Sequence, residues 1–455
     1  MSTNIRKIIS KEAIKEECTP VHSPFELMYQ SFSMFANAGQ KWERDFIPLS
    51  AGVNWVQGSG VVRNMLHREL ESSSTYRNYG NAGGIRPVTD VLEKIECKSS
   101  VTKGLKVQLT NGATEGAWLI LECLKRDGRI KSGDNSLSLG HCFPLYNSLS
   151  KEFELNFNES LGHEYATKSF LPDVDTIQQA VEKLKPKVIF LLMPNNPFGE
   201  SFSGTELSRI CEIVSTSNSF LLIDRVCQMP WDDRASTMRI LAPLIVAGNA
   251  VVVDSLSKSE SLAGLRIGFI ITNQLIKQIL ISITQTRYLN PIVFSSVTLA
   301  LCRLAEYGAN MGNVAVRALR ANIDEIFSEY PKSENYEILT DCFEDFLAQY
   351  IPELKIRQKR LLNNFEQLHL EFGELVIRPL IFKTGFNCTL SINEMRRSSE
   401  TEDVLNLCNS HGVGVLTEQC FRSSGNYSHY FIRVGLSLEE EDFKNALFRL
   451  KEYYL

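Results

Sequence analysis

No stretch of this sequence is long and apolar enough to cross a bilayer. A span needs about 18 apolar residues in a row, and the best candidate, residues 240–253, is broken by Pro243, Gly248 and Asn249. Residues 1–18 alternate Lys and Glu and lack the apolar centre of a secretory signal; their acidic residues argue against a mitochondrial transit peptide. No Cys-x-x-Cys pair occurs, and the 11 cysteines are odd in number and scattered. That excludes a disulfide framework and a zinc ribbon, and fits reduced thiols in a cytoplasmic protein. Histidine is scarce, with 7 residues far apart, so no metal site is expected. Charge of one sign is also missing: the formal net charge is -5 and no basic module is appended. Neither nucleic acid nor a membrane surface is an expected partner. Internal repeats and low-complexity linkers are absent as well.

What is present is a chain of 455 residues with 44% hydrophobic content, too long for one ordinary core. Residues 1–45 read as a polar helical arm. From about 60 to 300, apolar β-branched runs alternate with helical patterns. The runs 106–110 (KVQLT), 188–193 (VIFLLM), 220–224 (FLLID) and 250–255 (AVVVDS) are strand-like. Residues 203–217 form a helix pattern that opens on Ser203-Gly204-Thr205-Glu206, a capping box. Strand, helix, strand in this rhythm predicts an α/β fold with a mostly parallel sheet flanked by helices. Residues 300–372 are helix-rich, with amphipathic stretches at 314–328 and 354–372. Residues 377–455 return to mixed strands and helices, including 412–416 and 430–436. The expected division is 1–60 as an arm and part of a small domain, 61–305 as the large domain, and 306–455 as the smaller α/β domain with a helical insertion at about 310–350.

A parallel sheet offers its ligand-binding loops at the carboxyl ends of its strands, and the unusual polar residues fall there. Asn111-Gly112-Ala113-Thr114 follows KVQLT and opens a helix; small residues there let backbone N–H groups meet a phosphate, although such a pair also serves plain packing. Asn196-Pro197-Phe198-Gly199 follows VIFLLMP and is equally good turn chemistry. Asp224 ends FLLID, and a carboxylate on a buried strand needs a partner: either a structural cation or a pyridinium nitrogen. Lys258 follows AVVVDS among hydroxyls, with Arg266 eight residues later. A desolvated lysine has a lowered pKa and can form a Schiff base. Ser255, Ser257 and Arg266 suit a phosphate. Arg433 alternates with apolar neighbours in Phe431-Ile432-Arg433-Val434-Gly435, where an inward guanidinium calls for an anion.

The stretch Ser255-x-Ser257-Lys258-x-x-x-x-Ala263-Gly264-Leu265-Arg266-Ile267-Gly268 resembles the lysine signature of the fold-type I pyridoxal-phosphate (PLP) enzymes, class I and II aminotransferases. Asn196, Asp224 and Lys258 follow in that family's order, 28 and then 34 residues apart, and the resemblance covers roughly residues 46–450. It implies residues 61–305 as the PLP-binding domain and PLP as cofactor. It implies Lys258 as the Schiff-base lysine and proton carrier, and Asp224 on the pyridine nitrogen. Asn196 would bond the ring hydroxyl and line the substrate site, with Phe143 of His141-Cys142-Phe143-Pro144 stacked on the ring. Gly112, Ala113, Thr114, Ser255 and Arg266 would hold the phosphate. Tyr79, in Tyr79-Gly80-Asn81-Ala82-Gly83-Gly84, resembles the tyrosine that reaches the neighbouring subunit's phosphate, which implies a homodimer with shared sites. Arg433 would grip the substrate α-carboxylate, and Asn54 and Trp55 resemble a loop lining the substrate pocket.

The implied reaction moves the amino group of an L-α-amino acid to a 2-oxo acid. A lyase, cyclodehydratase or amino-acid oxidase on the same fold remains open, as does a non-catalytic PLP-domain regulator. Two positions depart from the pattern: Cys227 stands where the family has a tyrosine, and Leu416-Thr417-Glu418 lacks the common Pro-Gly. Arg63, Arg77 and Arg287 are candidates for reading a second carboxylate on the substrate.

Overall fold

A computed structural model describes residues 46–50, 52–56, 58–72, 79–96, 102–162, 169–292, 294–311, 320–321, 324–325, 341–373, 380–392, 400–421 and 430–455. The N-terminal arm, Arg77 and most of the stretch 314–328 lie outside these residues.

Helices α1 (Gly60–Glu71) and α2 (Arg86–Glu96) lead into β1 (Lys106–Thr110) and α3 (Ala113–Arg126). There follow β2 (Asn135–Leu139), α4 (Leu145–Glu152), β3 (Asn156–Ser160), α5 (Val174–Leu184), β4 (Val188–Leu192), α6 (Gly204–Ser217), β5 (Phe220–Asp224), α7 (Arg234–Val246) and β6 (Ala250–Ser255). A one-turn helix α8 (Leu256–Ser259) precedes β7 (Gly268–Thr272), α9 (Gln274–Tyr288), α10 (Ser296–Met311) and the 30-residue α11 (Phe343–Phe372). The chain ends with β8 (Asn387–Ile392), α12 (Glu400–His411), β9 (Leu416–Thr417), β10 (Tyr430–Gly435) and α13 (Glu440–Tyr454).

The first seven strands form one sheet in the order β1-β7-β6-β5-β4-β2-β3. Only β7 runs against its neighbours; the other pairs are parallel. Strands β4 to β6 are continuous apolar runs because helices cover both faces of the sheet. Burying one such Val, Leu or Ile contributes roughly 2 kcal/mol. One apolar cluster fills one face and another the opposite face. Since β7 is antiparallel to both β1 and β6, the carboxyl ends of β1, β4, β5 and β6 share one edge. The capping box at Ser203 forms as expected, with Ser203 and Glu206 each bonding the other's backbone N–H.

A second, antiparallel sheet has the order β8-β10-β9 and its own apolar cluster, which includes Phe46, Leu49 and Val56. The strand expected at 412–416 starts later. Gly412 and Gly414 bond the incoming N-terminal segment instead: Ile47 N–H donates to Gly412 C=O at 2.8 Å and Gly414 N–H to Ile47 C=O at 2.9 Å. Helix α11 belongs to both cores. Phe343, Phe346, Tyr350 and Leu354 pack in the first and Leu361, Leu368 and Phe372 in the second. No helix among the described residues is long and apolar enough to cross a membrane.

Candidate active site

Where the two cores meet, the strand ends enclose a cavity of about 540 Å³. Nine of the residues singled out from the sequence line it: Ala113, Thr114, Phe143, Asn196, Asp224, Ser255, Lys258, Arg266 and Arg433. They come from positions far apart in the chain, and the sheet's common edge brings them together.

Lys258 sits in α8, which continues β6 without a loop. Its Nζ donates to the Gly52 carbonyl, and burial is the main cause that lowers its pKa. A neutral amine is the nucleophilic form. Across the cavity, Asp224 ends β5. Burial raises its pKa, while hydrogen bonds from Tyr146 and from the Val226 N–H oppose that rise. Tyr146 Oη donates to Asp224 Oδ2 at 2.6 Å, and Val226 N–H to Oδ1 at 2.9 Å. Tyr146 is fully buried on α4 and packs against Phe190.

One end of the cavity is built on the start of α3, with Ala113 and Thr114 beside Arg266. The N-cap of α3, Gly112, has no side-chain cap and φ of 89°. A Cβ there would come within 2.8 Å of Arg266 Nη2, so only glycine leaves the cradle open. Ser255 Oγ accepts from the Ser257 N–H at 3.2 Å, which leaves its own hydroxyl proton to donate.

Arg433 is buried at the centre of the second sheet. It donates from Nη1 to Asn196 Oδ1 at 2.8 Å and from Nη2 to the Ser50 carbonyl at 2.6 Å, and its Nε has no partner. The guanidinium lies 5.0 Å from the Phe421 ring centre. Burial lowers its pKa to about 10, so it remains cationic at neutral pH. An anion among these groups would relieve the orphaned donor. Cys227 also lines the cavity, and burial pushes its thiol up to about 12.

Three expected residues lie elsewhere. Asn54 supports the site from outside the cavity: its Nδ2 donates to the Lys258 carbonyl at 2.6 Å, and its Oδ1 accepts from Val56 N–H at 3.1 Å. Trp55 is 44% exposed and does not line the cavity. Tyr79 is 85% exposed and lines a separate surface depression with Gly83, Arg86 and Lys277. Arg63 and Arg287 do not reach the cavity; Arg287 lies 3.6 Å over the Trp118 ring. The residue that sequence reasoning missed is Tyr146. The one available signal was its position three residues after Phe143, at the start of a helix.

A mostly parallel seven-stranded sheet with a lysine-bearing cleft at its carboxyl edge defines the fold-type I class. Solved structures with this fold include an aminotransferase from Mycobacterium tuberculosis (TM-score 0.70, 17% identity, covering 96% of this chain and 97% of that one). Another is a Thermus thermophilus aspartate aminotransferase variant (TM-score 0.68, 16% identity, covering 98% and 99%). The chain belongs to the aminotransferase class I and II family, whose model matches residues 44–450. A histidinol-phosphate aminotransferase of Flavobacterium johnsoniae is 28% identical over 194 residues, 43% of this chain and 51% of that protein. One from Chlorobaculum parvum is 36% identical over 177 residues, 39% of each. The chain thus matches about half the length, or less, of these curated relatives.

Proposed function

We propose that this protein is a PLP-dependent aminotransferase that moves the amino group of an L-α-amino acid to a 2-oxo acid. The observation that carries the reading is the convergence of Lys258, Asp224 and Arg433 on one cavity, beside an open phosphate cradle at Gly112. Bound PLP supplies an aldehyde for an amino group and an electron-withdrawing ring; the protein supplies the rest. Ala113 and Thr114 at the start of α3, with Ser255 and Arg266, would hold the phosphate. Asp224 would accept a hydrogen bond from the pyridine nitrogen and keep it protonated. The Asn196 amide would donate to the ring hydroxyl, and Phe143 would cover the ring. Arg433 orients the substrate by its α-carboxylate, with Asn196 held against the guanidinium. Lys258, whose pKa burial lowers, would take the proton from the substrate Cα and pass it on toward the cofactor.

The lobes we propose are residues 61 to about 355, carrying the cofactor, and a smaller lobe of about 46–60 and 358–455, carrying Arg433; α11 joins them. The exposure of Tyr79 on a glycine-rich surface segment supports a homodimer in which Tyr79 serves the partner's site. That the nine described cysteines form no disulfide supports a cytoplasmic location.

Borohydride reduction of the PLP-loaded protein, followed by peptide mapping, should place the cofactor on Lys258. A screen of L-amino acids and histidinol phosphate should then build up the pyridoxamine phosphate absorbance band with one of them. Release of ammonia or peroxide without that band would assign elimination or oxidation instead.

A further inference from the structure

Behind the Lys258 turn lies a cluster of four guanidinium and four carboxyl groups, none of which lines the cavity. Asp254, next to the end of β6, is fully buried. It accepts from Arg225 Nε at 2.8 Å, Arg234 Nη1 at 2.8 Å and Arg303 Nη2 at 2.9 Å. Arg225 also bonds Glu96 at 2.7 Å, and Arg303 bonds Glu306 at 2.6 Å. Glu260, two residues after Lys258, accepts from Arg357 Nη1 at 3.0 Å and from the Tyr350 hydroxyl. The Glu306 carboxyl faces Glu260 and, with burial, pushes its pKa up to about 7. Glu306 Oε1 is buried without a donor. Six of these eight ionisable groups are buried and the other two half-buried, which is expensive unless each holds its place, so the cluster is stiff.

Its stiffness is applied to the lysine's own turn. Helix α8 spans four residues, and a helix end leaves carbonyls without intrahelical donors. Side chains supply them here. Asn54 donates to the Lys258 carbonyl at 2.6 Å and Arg357 Nη1 to the Ser259 carbonyl at 3.2 Å; at the other end of the turn Arg303 Nη2 reaches the carbonyl of the N-cap, Ser255, at 3.3 Å. Arg357 occupies a particular point in the molecule. It lies on α11 between Leu354, in the first core, and Leu361, in the second. The second core also holds the strand that bears Arg433.

We propose that Arg357 is a positioning residue for Lys258. By holding the Ser259 carbonyl and the Glu260 carboxylate where α11 passes from one core to the other, it fixes the lysine's turn relative to the lobe that carries Arg433. The inference rests on Lys258 being the Schiff-base lysine. Arg357 touches neither cofactor nor substrate.

The test compares two cofactor forms on the full-length chain stripped of cofactor. PLP can bond covalently to Lys258; pyridoxamine phosphate has no aldehyde and reports the rest of the site. Arg357→Met should weaken PLP binding about tenfold, the scale of one charged hydrogen bond, and leave pyridoxamine phosphate within about twofold of wild type. Arg357→Lys keeps one donor and should fall between Arg357→Met and wild type for PLP. If Arg357→Met does not fold, Arg357→Lys decides alone. Equal weakening of both forms marks a general structural role and overturns the proposal, as does any pattern that spares PLP. A Lys258→Ala control separates the premise: PLP held as tightly by that variant as by wild type would sink the Schiff-base reading itself.

Discussion

At the residue scale the site turns on how two groups of opposite tendency are kept in their working states. Burial pushes Lys258 toward the neutral amine and Asp224 toward the neutral acid. The first suits a nucleophile; the second works against the proposed role of Asp224, in which its carboxylate would hold a pyridinium proton. Tyr146 opposes it. Its hydroxyl stays protonated because burial raises its own pKa well above the ordinary tyrosine value, so it is a dependable donor to Asp224. Tyr146→Phe keeps the ring packed on Phe190 and removes only the donor. Asp224 should then compete better for the pyridine proton. Losing a hydrogen bond to a charged group should cost kcat/KM about tenfold or more, with KM little changed. The nitrogen resonance of bound PLP labelled in its ring should move toward the neutral pyridine position. An unmoved resonance would defeat the idea. Cys227 poses the reverse case. Its thiol, pushed up to about 12, is neutral and a weak donor. Cys227→Tyr offers the ring oxygen a strong donor, which favours the deprotonated Schiff base. The midpoint of its absorbance titration should fall below that of wild type; coincident curves would refute this. Asp224 and Lys258 were legible in the sequence because the first ends a buried strand and the second follows one by three residues, where a charged residue is out of place. Tyr146 was not, because its partner lies 78 residues away and nothing local distinguishes it from a core aromatic.

At the scale of elements, helix α3 shows how backbone geometry makes a binding surface. It starts directly at the end of β1, and its first-turn N–H groups have no capping side chain, so an anion is the natural partner. Gly112 permits this twice over, through its positive φ and through the space a Cβ would take from Arg266. Gly112→Ala strains the turn and moves the guanidinium. Affinity for PLP should fall about tenfold or more, while affinity for pyridoxal without phosphate stays near wild type. Equal losses for both would show that the variant damages the whole cleft and not its phosphate end. The elements themselves were unevenly readable. Strands β4, β5 and β6 announce themselves as apolar runs, β1 (KVQLT) by alternation, and α6 by its capping box. Strands β2 (NSLSL) and β3 (NFNES) are interrupted by serine and asparagine, which the sheet accepts toward its edge. The residues around Gly412 pair with Ile47, a partner some 365 residues earlier that no local pattern discloses.

At the scale of the whole molecule, helices from different parts of the chain are tied together by buried carboxyl groups, and that gives folding a pH dependence of definite sign. Glu69 on α1 is buried. Its Oε1 accepts from the Thr298 N–H at 2.7 Å and from the Thr298 hydroxyl, fastening α1 to the first turn of α10. Burial outweighs these donors and raises its pKa from 4.5 to about 7. The folded protein therefore binds this proton more tightly than the unfolded chain does. The stabilisation is fully present below the unfolded value and is lost as pH rises through the folded one. The window runs from about pH 4.5 to 7, and the shift corresponds to about 3 kcal/mol at most. Glutamine keeps the accepting oxygen and cannot ionise. Urea denaturation of wild type from pH 5 to 8 should therefore show a steeper fall than Glu69→Gln does, so that the variant gains on wild type as pH rises. Glu260, also raised to about 7, contributes with the same sign, so part of the fall should persist in Glu69→Gln. A difference between the two proteins that stays constant across this range would mean that Glu69 is already ionised in the fold, with its two donors outweighing burial.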